Sequence, residues 1–398
     1  MPRSPDIVTP TTSSIRLIEP YGGTLVDRIV PMSEIPELER GTTGVMTLTP
    51  GAEIHFRNIA TGCYSPLTGF MSGAEYRSVI RTGKLPGGQD WKVPVLLHAD
   101  ALTARDVREG MLVALTDQAG SRIGAIDVRD IFEIDQDEYC RLVMGTNETE
   151  HPGVRNIVRQ GTVCIGGEVS LFADAATPET LQSSPRDSRA ALDATGKDSF
   201  TAFSTRNIPH RGHEFQHRIA LDRTDILGIH VITGATVTGS FRSGAVLDIY
   251  DMLISEFYPR GRVFLNNLRL PPIYAGPNEA FLQATVLQNL GYTHFVVGRD
   301  HAGVGSYYGR YASQEIFEIP STLGIEILPL PEPHYCPHCD KIATEEMCDR
   351  PEFLEKLNGR DVRRLLVEGR HEELAEILRP EIRDALIERQ HESPLFIE

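Results

Sequence analysis

The chain has 398 residues, which predicts two or three domains, and its 40% apolar and 24% charged residues are typical of a globular rather than a disordered protein. Lys and Arg total 39 against 55 Asp and Glu, so the formal net charge is −16. This acidic balance disfavours general binding to nucleic acid or to an anionic membrane, and an anionic ligand would need a local cluster of Arg and His.

The N-terminal part of the chain predicts a mainly β domain with a few helices. Residues 1–20 are polar and are interpreted as an ordered arm or a loose tail without the apolar core of a signal peptide. No apolar run approaches the roughly 18 residues of a membrane helix, so we expect a cytoplasmic protein. From about 24 to 172, turn signals separate short apolar stretches at 44–48, 93–97, 111–115, 123–128 and 140–143.

The central and C-terminal parts follow a different pattern. Residues 173–198 are polar and predict a linker. Between about 199 and 330, apolar runs at 226–232, 263–265 and 294–297 alternate with helical patterns at 214–221, 245–257 and 279–290. This alternation predicts an α/β domain with a mainly parallel sheet, which binds ligands at the carboxyl ends of its strands. After a cysteine cluster, residues 361–366, 372–378 and 381–389 predict short amphipathic helices.

The segment 203–214, Phe-Ser-Thr-Arg-Asn-Ile-Pro-His-Arg-Gly-His-Glu, carries the strongest chemical signal. It predicts a strand, a turn and the first turn of a helix, where free backbone N–H groups favour an anion. His210 and His213 then face the same side, Arg206 adds a planar cation and Asn207 adds an amide donor. A bare pair of histidines would favour a helix cap or a metal site. The adjacent Thr-Arg-Asn favours a nucleotidyl-transfer site instead.

A second signal follows the predicted strand 293–297. The strand leads directly into a Gly-rich loop with Gly298, Arg299, Asp300 and His301. Glycines allow backbone N–H groups to approach a phosphate. Alone, such a loop is equally compatible with a plain turn. Together with the first segment in one α/β domain, it indicates a nucleotide site.

The chain resembles the ATP sulfurylase (sulfate adenylyltransferase) family over nearly its whole length. The resemblance rests on these two segments, on Tyr-Ser-Pro-Leu-Thr-Gly-Phe-Met at 64–71 and on Tyr-Ala-Gly-Pro at 274–277. The resemblance implies an α/β protein with three domains. These are a PUA-like, β-rich N-terminal domain at 1–172, a Rossmann-like nucleotidylyltransferase domain at 173–330, and a small C-terminal domain at 331–398.

The resemblance also implies a reaction, in which sulfate attacks the α-phosphate of ATP directly to give adenosine 5′-phosphosulfate and pyrophosphate, or the reverse, with Mg²⁺. It implies a homo-oligomer, expected to be a homodimer, while the acidic charge predicts no nucleic-acid or membrane partner. Thr205, Arg206 and Asn207 match the family's catalytic residues. The implied ATP-binding residues are these three with Ser204, His210, His213, Gly298, Arg299, Asp300 and His301, and the implied sulfate-binding residues are Ser204, Arg206 and Ala302.

Some positions depart from the family's pattern. Ser204 replaces a glutamine, Asn278 stands where an arginine is frequent, and 234–241 replaces a Lys-x-Gly-Asp stretch. Two alternatives therefore stay open: an adenylyltransferase for another oxyanion or small acid, and a non-catalytic relative that binds nucleotide or RNA. The segment 357–363 resembles the family's Ser-Gly-Thr-x-x-Arg region only in its second part and is assigned no catalytic role.

Three of the six cysteines, Cys336, Cys339 and Cys348, lie within thirteen residues and predict a structural Zn²⁺ site. Some bacterial members of the family have a Cys-x2-Cys-x8-Cys-x3-His site, and Glu352 stands near the position of its last ligand. The fourth ligand is expected to be Glu352, with His334, His338 or Asp349 as alternatives. A set of reduced, partly buried thiols is the competing interpretation.

Overall fold

The computed structural model describes residues 17–100, 103–176, 184–234, 239–392 and 394–397. The predicted N-terminal tail therefore lies outside the described residues except for 17–20, and so do residues 235–238 of the segment that departs from the family. Within the described ranges, no helix has both the length and the apolar character needed to cross a membrane.

The first sheet occupies the N-terminal part of the chain and is mostly antiparallel. Its strands are β1 (Ile29–Val30), β2 (Gly44–Thr47), β3 (Gly69–Phe70), β4 (His98–Ala99), β5 (Leu112–Thr116), β6 (Arg122–Glu133) and β7 (Val163–Phe172). They follow the order β1-β7-β6-β5-β2, and β3 and β4 also pair with β7. The expected mainly β domain is thus confirmed, including strands within 44–48, 111–115 and 123–128.

Short helices cover this sheet, namely α1 (Ile35–Gly41), α2 (Pro50–Ala60), α3 (Gly73–Thr82), α4 (Thr103–Asp106), α5 (Gln136–Tyr139) and α6 (Pro152–Arg159). The apolar stretch 140–143 is helical and adds no strand to the sheet. Asp135 caps the start of α5, the helix continues as a π-helical turn over Cys140–Met144, and Gly145 ends it at a φ of 73°. Residues 93–97 are buried but form no regular strand, although the backbone N–H groups of Met71 and Ile165 donate to the carbonyls of Val95 and Leu97.

The predicted linker 173–198 is not free of regular structure. It contains α7 (Pro185–Asp193), whose N-terminus is capped by the side chain of Ser184. The seryl oxygen accepts the backbone N–H of Asp187, and Leu192 is buried in the core. Residues 177–183 of this segment lie outside the described ranges.

The second sheet is parallel and lies in the central part of the chain. Its strands are β8 (Phe200–Thr205), β9 (Ile226–Thr233), β10 (Val263–Arg269), β11 (His294–Val297) and β12 (Glu326–Pro329), in the order β10-β9-β8-β11-β12. The connecting helices are α8 (Arg211–Arg223), α9 (Ser243–Phe257), α10 (Pro277–Asn289) and α11 (Ala312–Glu315). The strand order changes direction between β8 and β11, and such a switch point is where parallel sheets bind ligands.

The C-terminal part packs against the central sheet's helices. It has an antiparallel sheet of β13 (His334–Cys336), β14 (Lys341–Ala343) and β15 (Glu355–Lys356), followed by α12 (Gly359–Val367), α13 (His371–Ile377) and α14 (Pro380–Glu392). The three predicted amphipathic helices are confirmed. Buried residues of α9, α12 and α14, such as Tyr250, Leu365 and Leu386, belong to one apolar cluster. The domain boundary expected at 331 therefore crosses a shared core and stays a prediction.

Candidate functional site

The two segments singled out in the sequence meet at one edge of the parallel sheet. β8 ends at Thr205 and β11 ends at Val297, and the two strands pair directly, with His294 opposite Thr201. Because carboxyl ends of adjacent parallel strands point the same way, the 206–213 and 298–303 segments leave the sheet side by side. Gly298 also lies against α8, since a Cβ there would be 3.3 Å from Nε2 of Gln216.

A glutamine on α10 links the two segments by hydrogen bonds. Oε1 of Gln283 accepts from Oγ of Ser204 at 2.8 Å and from Nε2 of His301 at 2.9 Å. This places the imidazole proton of His301 on Nε2. Gln283 is 1% exposed, so the bridge is fixed in the core. The single hydroxyl proton of Ser204 is donated to Gln283, which leaves it no second proton to offer an anion.

Arg206 is held by a buried carboxylate. Its Nη2 donates to Oε1 of Glu279, and the other carboxylate oxygen accepts the backbone N–H of Tyr274 at 2.6 Å and of Ala275 at 3.3 Å. The guanidinium also lies 5.6 Å from the centre of the Tyr274 ring. Tyr274 has a φ of 62°, an uncommon conformation for a non-glycine residue that clusters at functional sites. The arrangement fixes one planar cation at the end of β8.

The two histidines lie on the same side at the start of α8, as the sequence predicts, and their rings stack. Their ring centroids are 3.7 Å apart, and Nδ1 of His210 caps the helix by accepting the N–H of His213. The neutral His210 therefore carries its proton on Nε2, which is free to donate. Burial lowers the pKa of His210 to about 4. Burial, and then the neighbouring imidazoles of His210 and His217, hold the pKa of His213 well below its usual range.

The 298–303 loop has an unusual backbone. Asp300 and Ala302 have φ values of 51° and 56°, and the carbonyl of Ala302 accepts the N–H of Gly276 at 3.2 Å. The carboxylate of Asp300 folds over Gly303, where a Cβ would lie 1.9 Å from Oδ1, and burial raises the pKa of Asp300. Burial, followed by the charge of Arg206, lowers the pKa of His301 to about 4. Asp300 thus braces the loop, and His301 is neutral near pH 7.

Arg299 points away from this bridge toward the C-terminal part of the chain. Its Nε lies 3.8 Å from Oε1 of Glu332, and its Nη1 lies 3.7 Å from Oδ2 of Asp300. Arg310 binds the other oxygen of Glu332 at 2.9 Å. Arg299 is one third exposed, with 37% of its side chain accessible, so it can reorient toward a ligand.

A cavity of about 200 Å³ opens beside Arg206 and Asn207. Its walls come from the end of β9, from residues 240–246 and from α12, and they include Ser240, Phe241 and Arg363. α12 touches the site directly, because a Cβ on Gly359 would lie 2.7 Å from Oδ1 of Asn207. The C-terminal part of the chain therefore closes one side of the site.

The sequence did not identify four of these residues. Glu279 and Gln283 are one helical turn apart on α10, and this spacing could have indicated a polar stripe facing the strand ends. Tyr308, whose hydroxyl lies 2.7 Å from the carbonyl oxygen of Tyr274 and 3.0 Å from that of Met144, gave no signal. Arg363 was given no catalytic role, whereas the structure places it in the same cavity as Arg206.

The three clustered cysteines converge as predicted. Their sulfur atoms lie within 4.8 Å of one another, and those of Cys336 and Cys348 are 3.8 Å apart. Zinc–sulfur bonds of about 2.3 Å give a tetrahedral site sulfur–sulfur edges of about 3.8 Å, so the donor set fits zinc. Glu352 is not part of this group among the described residues, and it stays a prediction as fourth ligand.

Comparisons with known proteins agree with the expected family. A family model described as ATP-sulfurylase matches residues 179–389, and one described as a PUA-like domain matches residues 18–174. The sulfate adenylyltransferase of Hyperthermus butylicus is 37% identical over 383 residues, which cover 95% of this chain and 97% of that protein. That of a Synechococcus strain is 36% identical over 382 residues, covering 94% and 97%.

Among solved structures, the hexameric APS kinase from Thiobacillus denitrificans matches with a TM-score of 0.72 and 23% identity, covering 93% of this chain and 68% of that one. At this identity the match shows a shared fold. The parallel central sheet and the two family matches confirm the expected α/β class with a PUA-like N-terminal domain and a Rossmann-like nucleotidylyltransferase domain.

Proposed function

The chain belongs to the ATP-sulfurylase family, and from this premise we propose that it is a sulfate adenylyltransferase. It is a nucleotidyltransferase that converts ATP and sulfate into adenosine 5′-phosphosulfate and pyrophosphate, or catalyses the reverse. The observation that carries the proposal is the shared edge of the sheet, where Gln283 joins Ser204 to His301 beside Arg206. Another oxyanion as acceptor is not favoured, since the relatives compared above are sulfate adenylyltransferases.

The proposed site residues divide by the part of the substrates that they contact. Arg206, with its orientation fixed by Glu279, contacts sulfate and the α-phosphate, and Thr205 and Asn207 complete the catalytic set. His210 and His213 donate to the β and γ phosphates at the start of α8. Gly298, Arg299, Asp300 and His301 form the nucleotide loop, and the N–H of Ala302 contacts sulfate. Ser204 supports this loop through Gln283, in addition to its predicted place near both substrates.

The proposed reaction needs positioning and charge neutralisation more than proton transfer. An oxygen of sulfate attacks the α-phosphorus and forms an S–O–P bridge. The bond between the α-phosphorus and the oxygen that links it to the β-phosphorus breaks, and pyrophosphate leaves with the electron pair of that bond. Sulfate is already deprotonated near neutral pH, so no general base is required. Arg206 and the neutral donors of His210 and His213 offset the repulsion between the two anions. Mg²⁺, which ATP carries, would neutralise part of the phosphate charge.

Sulfate-dependent exchange of radiolabelled pyrophosphate into ATP tests this function. The wild-type protein should catalyse exchange only when sulfate is present. Arg206→Ala should lower the rate about 100- to 1000-fold, as expected for one transition-state donor. Arg223→Ala, on the exposed last turn of α8, is the matched control and should exchange normally. The proposal would be refuted if no exchange occurred in the presence of sulfate, or if the exchange rate were the same with and without sulfate.

We also propose that Cys336, Cys339 and Cys348 bind a structural zinc ion, completed by Glu352, His334, His338 or Asp349. The support is the convergence of three sulfur atoms within 4.8 Å. Elemental analysis of protein purified without chelator should find about one zinc per chain. Cys348→Ser should lower this content and the melting temperature, whereas Cys140→Ala, outside the cluster, should keep the zinc. A zinc-free wild-type preparation would show that these are free thiols.

The remaining expectations stay proposals. We propose domain boundaries near 172 and 330, a cytoplasmic location and a homodimer. Light scattering of the purified protein gives its mass in solution directly, and any mass other than twice that of the chain would contradict the dimer.

A further inference from the structure

We propose that Arg363, on α12, is an oxyanion-binding residue that the C-terminal part of the chain adds to the site. This inference rests on the proposed function, because its ligand is one of the two tetrahedral groups of that reaction: the sulfate acceptor or the pyrophosphoryl group. It assigns a ligand-binding role to a residue of the 357–363 segment.

The guanidinium of Arg363 reaches the cavity beside Arg206. Both residues line the same space of about 200 Å³, together with Asn207. Cζ of Arg363 lies 5.8 Å from the ring centre of Phe241, and its Nη1 would be 3.8 Å from a Cβ placed on Gly239. The side chain therefore spans from α12 to the wall formed by residues 239–243, opposite the end of β8.

The guanidinium of Arg363 faces the ring of Phe241 but has no acidic partner among the described residues. The structure gives its guanidinium no ion pair and no hydrogen bond there, and its Nε is buried without a partner. Burial lowers its pKa. Its neighbour Arg364 is different, because it pairs with Asp361 at 3.2 Å and Glu368 at 3.4 Å on the exposed side of α12. A buried N–H group without a hydrogen-bond acceptor destabilises the folded state, so a ligand oxygen that accepts from Nε of Arg363 would remove this cost.

The balance of charge in the cavity favours an anion. Arg206 is paired with Glu279, whereas none of the described residues that line the cavity is a carboxylate that could pair with Arg363. The hydroxyl-bearing residues Ser240 and Ser243 line the opposite wall. Ser243 is also the first residue of α9, a helix of 15 residues with no acidic residue in its first turn. Two guanidinium groups, an amide and hydroxyls that converge on one space match the oxygens of a tetrahedral dianion.

The position of α12 is fixed independently of any ligand. Gly359 packs against the side chain of Asn207, and Val362 and Leu365 of the same helix are 0% and 2% exposed in the core shared with α9. The C-terminal tail supports the opposite wall, because the N–H of Gly239 donates to the carbonyl of Ile397 and the N–H of Ile397 donates to the carbonyl of Ser240. The cavity is thus a preformed space with two anchored walls.

The test compares Arg363→Met with Arg364→Met in the full-length protein. Met keeps the apolar length of the side chain and removes the charge, and Arg364 is the control one residue along the same helix. Binding of sulfate and of pyrophosphate is measured separately by calorimetry. Exchange kinetics give KM for each anion. For Arg363→Met we expect affinity for one of the two anions to fall about 10- to 100-fold, since one charge-assisted contact is lost. Arg363→Lys should recover part of the loss.

The anion whose affinity falls identifies the group that Arg363 binds, and either result supports the inference. It is overturned if Arg363→Met binds both anions as the wild type does, or if Arg364→Met loses as much affinity. It is also overturned if the wild type binds neither anion. A wild type that binds pyrophosphate but shows no sulfate-dependent exchange would refute the proposed function alone, and the comparison of variants would still decide the role of Arg363. Circular dichroism and thermal melting confirm that each variant is folded.

Discussion

The ion pair between Arg206 and Glu279 gives a sharp prediction for Glu279→Gln. The carboxylate has 2% of its side chain exposed and accepts from Arg206 and from the backbone N–H groups of Tyr274 and Ala275. Glutamine has the same shape but carries no charge. Its amide oxygen can still accept from the backbone, while its NH₂ group has no proton acceptor to offer the guanidinium.

The expected loss follows from these contacts. Removing one partner of a fully buried ion pair costs about 3–5 kcal/mol, because the remaining charge is left uncompensated. Arg206 is 26% exposed, so water can hydrate it in part, and we expect a smaller loss of about 2–3 kcal/mol in the free energy of unfolding. A guanidinium that is no longer held in place should also lower kcat about 100-fold.

A double-mutant cycle measures the pair itself. Urea denaturation is followed for the wild type, Glu279→Gln, Arg206→Met and the double variant, and the coupling energy should be about 1.5–3 kcal/mol. Glu373→Gln, in the exposed pair with Arg370, is the control and should change stability far less, because water screens exposed ion pairs. A coupling energy below about 0.5 kcal/mol would refute the view that Glu279 holds Arg206 in place.

Two further predictions concern buried groups of the site. The pKa of His210 is about 4 in the folded chain against 6.5 as the ordinary value, so the unfolded chain takes up a proton first as the pH falls. The contribution of neutral His210 to the free energy of unfolding is therefore present above pH 6.5 and is lost as the pH falls toward 4. Between pH 7 and 4.5, the free energy of unfolding of His210→Gln, measured by urea denaturation, should fall by about 2–3 kcal/mol less than that of the wild type. Equal losses in the two proteins would contradict this. Gly276→Ala should lower the free energy of unfolding by about 2–4 kcal/mol, because the position has a φ of 50° and its Cβ would lie 2.7 Å from the ring of Tyr308. Gly244→Ala, which has open space and a helical setting, should be neutral or stabilising, and a similar loss at both glycines would contradict the steric reason.

Local patterns predicted most of the central part of the chain. The runs 226–232 and 294–297 became β9 and β11, and His210 caps α8 where the sequence placed a helix start. These features depend on residues close in sequence, such as a continuous apolar run in a buried strand and a side chain that caps a helix. Once the segments after β8 and β11 were assigned to strand ends, the rule for parallel sheets also predicted that they would lie together.

Two segments have a structure that differs from the one their composition favours. The apolar run 140–143 has the composition of a strand, but Asp135 starts a helix just before it and Gly145 ends that helix. The polar segment 173–198 predicted a linker, yet Ser184 caps α7 within it. In both cases a capping residue decided between the alternatives, because its side chain accepts free backbone N–H groups at the start of a helix.

The sequence by itself determined the kind of chemistry, since the cations, imidazoles and glycines needed for a phosphate site stand in two short segments. Tertiary structure alone decided which other side chains contact and orient these groups. Gln283 is 79 residues from Ser204, Glu279 is 73 from Arg206, and Arg363 approaches Arg206 only because α12 shares a core with α9. Contacts across such distances are fixed by packing of whole helices against the sheet. A local spacing can place Glu279 and Gln283 on one face of α10, but it does not specify their partners.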